Sequence, residues 1–279
     1  MHDDGRGDAD GDGADDVRRI ETCVVDAIAR GDAVDASALL FLLRRYQLTA
    51  RDDLADAVGR ALGAALDRSV RDPSIVARAG WLTLFVEASA LADDARLHDV
   101  MGDLVEALRG GWRSASVEDA CASIGACLHA AGLARFTGVA ADAIDELERV
   151  VAAVYRPGAA IGALADQVSA AFTLLIAYSL CGRLPYAMLA EELIQRARLS
   201  AEAEFVPTCE AARVLCRLAA LHDDPDYRAS ASVVPAADYR GDAARLLASQ
   251  AAEARRRGAS GAIYGVALLE LESRDSYGH

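Results

Sequence analysis

The 279-residue chain contains no lysine and no asparagine, so all 29 of its basic residues are arginine. Both missing residues have A-rich codons, and the bias reads as that of a GC-rich genome rather than as chemistry. Aromatic side chains are scarce, at 5%, and only six prolines interrupt the chain. The six cysteines, at 23, 121, 127, 181, 209 and 216, include no Cys-x-x-Cys pair. Most sit in apolar helical runs such as DACASIGACL and CEAARVLCRL, which favours buried, reduced thiols in a cytoplasmic protein over a disulfide scaffold. Five histidines show no HxxxH or His/Cys spacing, so no metal and no cofactor is expected. Gly-rich phosphate loops of the Walker or dinucleotide type are missing, as is a GxSxG nucleophile elbow. Every long apolar stretch meets a charge or a turn well before about 18 residues, which argues against a transmembrane helix. Positive charge is also in deficit: the net charge of −14 speaks against nucleic acid or an anionic membrane as the main partner.

What is present is alanine, 61 residues of it, within an apolar content of 53%. Such a composition buries a core and suits helices packed closely on one another. The first sixteen residues, MHDDGRGDADGDGADD, hold seven Asp and one Arg. They contain no apolar segment of the kind a signal peptide needs. The Asp/Gly alternation lacks the closing Glu and helical flanks of a calcium loop, so residues 1–13 are expected to be a solvated, disordered acidic tail. Residues 14–279 then form a single domain.

Apolar residues recur at i, i+3, i+4 nearly end to end, with almost no period-two alternation. Twelve helices are predicted, over 14–30, 34–47, 51–68, 77–92, 94–109, 117–132, 140–154, 165–181, 184–199, 205–222, 238–256 and 259–272. Breaks fall at Gly31-Asp32, Asp72-Pro73, Gly110-Gly111, Pro157-Gly158 and Pro235, where turn chemistry places them. The segments alternate in kind. One set, including WLTLFVEASALA and GAIYGVALLELE, is apolar nearly all round, and the other, including AIDELERVVAAVY, carries a charged stripe. A helix apolar on every side is buried, and a striped one faces water. Six of each, with a period of roughly 40 to 54 residues, is the pattern of a helical-hairpin array, an open solenoid or a closed ring. Closure is favoured, because 14–30 is an outer-type helix without an inner mate and 259–272 an inner-type helix without a following outer one. The fold expected is all-α, an (α/α)6 toroid of six inner and six outer helices.

Three stretches carry a resemblance: DQVSAAFTLLIAYSLCGRLPYAMLAEELIQRAR, CEAARVLCRLAALHDDPDYRA and DAARLLASQAAEARRRGASGAIYGVALLELE. Together they resemble the C-terminal half of bacterial thioredoxin-domain-containing proteins related to spermatogenesis-associated proteins, over about 75–272. In that family a toroid of the six-hairpin glycosidase type follows a thioredoxin-like domain. This chain has no thioredoxin-like domain, so redox chemistry does not carry over, and it leaves little length for site-building loops. The resemblance implies that a substrate binds at the N-terminal ends of the inner helices, where this sequence places Asp35, Arg78, Trp81, Glu118, Asp119, Asp166, Gln167, Glu204, Phe205 and Glu210.

Carboxylates beside an aromatic platform suit a sugar. Asp166, Glu118 and Glu210 are the candidate catalytic acids, since glycoside hydrolysis needs two carboxyls about 5–9.5 Å apart. Trp81, Asp119 and Gln167 are the candidate substrate-binding residues. Acids at helix starts are also ordinary caps and partners of the helix dipole. Glu87, inside an apolar helix, needs a partner, and Arg44 or Arg45 across the fold would supply one. DDLAD at 52–56 matches a metal-diphosphate motif by chance in a chain with 29 Asp. The functional expectation is a carbohydrate-binding or glycosidase-like domain. The alternative is a non-catalytic helical scaffold that binds a protein partner.

Overall fold

The structure is a computed structural model, which describes residues 9–92, 94–156, 159–197 and 204–273. Among these the fold is all-α. The helices are α1 (Ala9–Ala29), α2 (Ala36–Thr49), α3 (Asp52–Ser69), α4 (Ile75–Ser89), α5 (Ala95–Gly111), α6 (Val117–Ala131) and α7 (Ala140–Val154). They continue as α8 (Leu164–Cys181), α9 (Leu184–Arg196), α10 (Phe205–Asp223), α11 (Pro225–Ser230), α12 (Tyr239–Arg257) and α13 (Ala262–Glu272). The described β structure is one antiparallel pair of two-residue strands, β1 (Tyr155–Arg156) and β2 (Ala159–Ala160).

Local chemistry explains most boundaries. Asp35, Ser74, Asp94, Ser116 and Asp238 each accept a backbone N–H at the start of α2, α4, α5, α6 and α12, satisfying donors that the first turn leaves orphaned. Gly182 ends α8 in the left-handed region at φ 68°, and Ala50 ends α2 there at φ 51°. A Cβ makes the second of these strained. The helix α1 begins at Ala9, so residues 9–13 extend it rather than forming the expected tail. Residues 1–8 lie outside the described residues.

Packing separates two sets of helices. In the first set α2 packs on α4, α4 on α6, α6 on α8, α8 on α10 and α10 on α13, and α13 packs on α2. The second set covers the first: α3 lies on α2, α5 on α4 and α6, α7 on α6 and α8, α9 on α8 and α10, α12 on α10 and α13. The first helix, α1, packs against α13, α2 and α3. Small residues allow the close approach within the inner set. Gly265 of α13 is the tightest case: a Cβ there would stand 2.7 Å from the Phe41 ring of α2.

The contact of α1 with the chain's last helices rests on both apolar and polar groups. Val17, Ile20 and Val24 are buried, and Ile28 is half-buried; full burial of one such aliphatic is worth about 1.5–3 kcal/mol. Asp16 accepts from Arg255 at 2.6 and 3.1 Å and from the Tyr264 hydroxyl at 3.3 Å. Four cysteines, 121, 127, 209 and 216, are buried, while Cys181 is exposed and Cys23 half-buried.

Contrary to the reading above, α8 is long and apolar enough to cross a bilayer by length and composition. Asp166 is its one charged side chain at neutral pH. In the fold eight of its residues are buried, between α6 and α10 and under α7 and α9.

Candidate functional site

At the N-terminal ends of the inner helices the candidate acids divide by partner. The Ser116 hydroxyl accepts the Asp119 N–H at 3.1 Å and donates to the Asp119 carboxylate at 2.9 Å, so Asp119 belongs to the cap of α6. Asp166 accepts the Ala163 N–H at 3.4 Å. Gly162, at φ 88°, brings its backbone so close that a Cβ would lie 3.3 Å from the Asp166 carboxylate. Gln167 is buried and donates to the Gly162 carbonyl at 3.2 Å. It therefore fastens the loop before α8 and keeps no side-chain face toward solvent.

Two further candidates face elsewhere. Trp81 is 4% exposed, stacked on Phe85 at 6.2 Å, with the Arg68 guanidinium 5.6 Å from its ring. Its faces are taken by α4 and α3, so the expected sugar platform is a core residue. Glu210 accepts from Arg213 Nη1 through both oxygens at 3.0 Å, which makes it a salt-bridge partner. Glu118 stays exposed, as do Glu204 and Asp35. Partial burial, then the charges of Asp119, Asp166 and Glu204, raise the Glu118 carboxyl above the ordinary range. The structure thus gathers Glu118, Asp119, Asp166 and Glu204 and leaves Trp81 and Glu210 with other partners.

The larger charged assembly lies in the C-terminal halves of the inner helices. Arg44 of α2 grips Glu87 of α4 in a fork, at 3.1 and 2.6 Å, as the sequence suggested. It also donates to Glu270 of α13 at 2.7 Å. Arg213 of α10 reaches the same Glu270 oxygen through Nε and Nη2, at 3.1 and 2.9 Å. Burial works to raise the Glu270 carboxyl, but Arg213, Arg217 and Arg44 together pull it down to about 2. Burial likewise opposes ionisation of Glu87, and Arg44 more than offsets it. The guanidiniums of Arg213 and Arg217 stand 4.6 and 4.3 Å from the Phe172 ring of α8, a favourable cation–π arrangement. Cations near the carbonyl ends of several helices also complement their dipoles.

A second buried carboxylate, Glu191 of α9, is 0% exposed. It accepts from the N–H groups of Val233 and Val234 at 2.9 and 2.8 Å, from Tyr239 at 2.7 Å and from Ser232 at 3.2 Å. Burial pushes its carboxyl up, and these donors hold it below the ordinary range. Ser232 Oγ lies 3.1 Å from His222 Nε2, and Glu191 lies 3.3 Å from the same nitrogen. A proton relay needs serine and acid on opposite nitrogens. With both on Nε2, the trio pins the loop between α11 and α12 and has no nucleophile geometry.

Two cavities are present, and none of Glu118, Asp119, Asp166 and Glu210 lines either. One, of about 130 Å³, is walled by Arg44, Gln47, Leu48, Glu87, Leu269 and Ser273. The other, of about 340 Å³, lies between the start of α10 and the end of α12, against Phe205, Gln250, Glu253 and Arg257. Among the described residues no group of three His, Cys, Asp or Glu side chains is placed to hold a metal ion. Comparison with protein-family models, with curated proteins and with solved structures finds no match.

Proposed function

We propose that the chain is an (α/α)6 toroid that serves as a non-catalytic scaffold for a protein partner. The packing of α13 on both α10 and α2 supports the ring. One observation carries the scaffold reading: side chains of the chain itself fill the space between the inner helices with a buried ion network. Arg44, Glu87, Arg213 and Glu270 come from four of those helices and pair with one another, all through Oε1 in the case of Glu270. A channel running through the ring would need open space and uncommitted acids at that level, below the N-terminal ends where a substrate was expected. Exposed Leu48, in the last turn of α2 at the wall of the smaller cavity, and exposed Leu91, two residues past α4, supply apolar contact area. Affinity capture, followed by reconstitution with the purified captured protein, tests this reading. A partner lost by the Leu48→Glu/Leu91→Glu variant, at unchanged melting temperature, supports the scaffold.

A second reading, the carbohydrate-binding or glycosidase-like domain, rests on Glu118. A carboxyl that holds its proton beside ionised acids is what a general acid requires, and its neighbours Asp119, Asp166 and Glu204 provide that setting. Hydrolysis of aryl glycosides that disappears in Glu118→Gln and Asp166→Asn would select this reading over the scaffold. A sugar panel that leaves the melting temperature unmoved would remove it.

A further inference from the structure

Three arginines point between the inner helices, and they are not equivalent. Arg44 and Arg213 each bond two carboxylates. Arg217, one turn after Arg213 on α10, makes no hydrogen bond or ion pair with any described residue, and its Nε is sealed in protein without a partner. Its two terminal nitrogens are not sealed: they belong to a half-buried side chain and reach accessible space. The ring of Phe172, 4.3 Å away, fixes the guanidinium in place. His129 of α6 is in the same condition. Its ring nitrogens make no hydrogen bond to a described residue and are open, although the side chain is half-buried.

The charges that act on His129 are Glu87, Arg217, Arg44 and Arg213, so imidazole and guanidinium share one neighbourhood. Arg213 stands near the middle of α10, and the other four residues sit in the C-terminal halves of their helices. Of the carboxylates nearby, Glu87 bonds Arg44, Glu210 bonds Arg213, and Glu270 bonds both arginines through Oε1, while its Oε2 is buried without a hydrogen bond and its charge acts on Arg217 from a distance.

We propose that Arg217 and His129 form a binding site for a small oxyanion, a carboxylate or a phosphate, entered from the C-terminal ends of the inner helices. A guanidinium presents a planar fork that matches two oxygens of such a group. Here the fork is held in advance by the aromatic face, so little conformational freedom is lost on binding. Burial already lowers the basicity of Arg217, the response of a cation taken from water without a bonded counter-ion. An oxyanion supplies that counter-ion. The site is independent of the scaffold reading, since it needs neither a protein partner nor the acids at the other end.

Melting of the full chain in sodium phosphate, sodium acetate or sodium chloride at matched ionic strength tests the site. Phosphate or acetate, or both, should raise the melting temperature by a few degrees over chloride, and the responding salt identifies the oxyanion. Arg217→Gln should abolish the increment, and His129→Gln should reduce it. Arg256→Gln, on the exposed surface of α12, should leave it intact. If Arg217→Gln does not fold, Arg217→Lys keeps the charge without the fork and should weaken binding at least tenfold by titration calorimetry. Equal melting in all three salts, or an increment that survives at position 217, overturns the proposal.

Discussion

The two ends of the inner helices spend their charged residues differently. At the N-terminal ends, Asp119 and Asp166 bond groups three residues away in their own chain segments. In the C-terminal halves, Arg44 meets Glu270 across 226 residues and Arg213 meets it across 57. The first kind of contact finishes a helix, whereas the second decides which helices lie together. Acidity follows the same division. Glu118 is raised by partial burial and like charges, while Glu87 and Glu270 are lowered by arginines that outweigh burial.

Removing Glu270 should break the comparison most severely. Glu270→Leu takes from two buried guanidiniums one of the two carboxylates each bonds and should cost about 3–5 kcal/mol in chemical denaturation. Glu118→Gln, on an exposed carboxyl, should stay within about 0.5 kcal/mol. A loss of similar size in both variants would erase the distinction between the two ends.

Acid should act on the network as the mutation does. A carboxyl whose folded-state pKa lies below its unfolded value of 4.5 stabilises the native state above 4.5. That stabilisation drains as pH falls toward the folded value of about 2. Glu87 and Glu191, also lowered, add to the same trend. Denaturation midpoints of the wild type should therefore fall steeply from pH 4.5 downward, and those of Glu270→Leu less steeply.

Next in size is the contact that joins α13 to α2 near the network. Gly265→Ala would set a methyl 2.7 Å from the Phe41 ring, and overpacking of that kind costs about 1–3 kcal/mol. Phe41→Leu in the same chain should recover part of the loss, a coupling that a double-mutant cycle measures. A modest gain should come from Ala50→Gly at the C-terminus of α2. Relief of the φ of 51° outweighs the flexibility of glycine, for a gain of about 0.5–1 kcal/mol in thermal or chemical melts.

Helices were legible in the sequence because their periodicity and turn residues are local. The span 140–154 agrees with α7 at both ends, and α2 and α10 deviate by two residues or fewer. The one-turn helix α11 escaped because Asp224-Pro225-Asp226 reads equally well as a plain turn. In the structure Asp224 caps it. Glu87 was legible as a buried acid needing an arginine. The rest of its network was not, since Arg213 and Arg217 lie in CEAARVLCRLAAL, a run read as apolar, and their common acid lies in the last helix. Trp81 shows the opposite failure: an indole near a helix start suggests a platform, yet Phe85 one turn on and Arg68 of α3 cover it. Nothing in the sequence around Glu191 signals the donors that residues 232–239 bring to it.

The seam between α1 and α13 has a consequence for biosynthesis. α2 and α3 can cover α1 early, but the share of its apolar stripe that packs on α13 is covered only when residues up to 272 have left the ribosome. At roughly 5–20 residues per second, that delay is about 10–50 s. Throughout it the earliest-made helix is only partly enclosed, a state in which a chaperone would find apolar surface to hold.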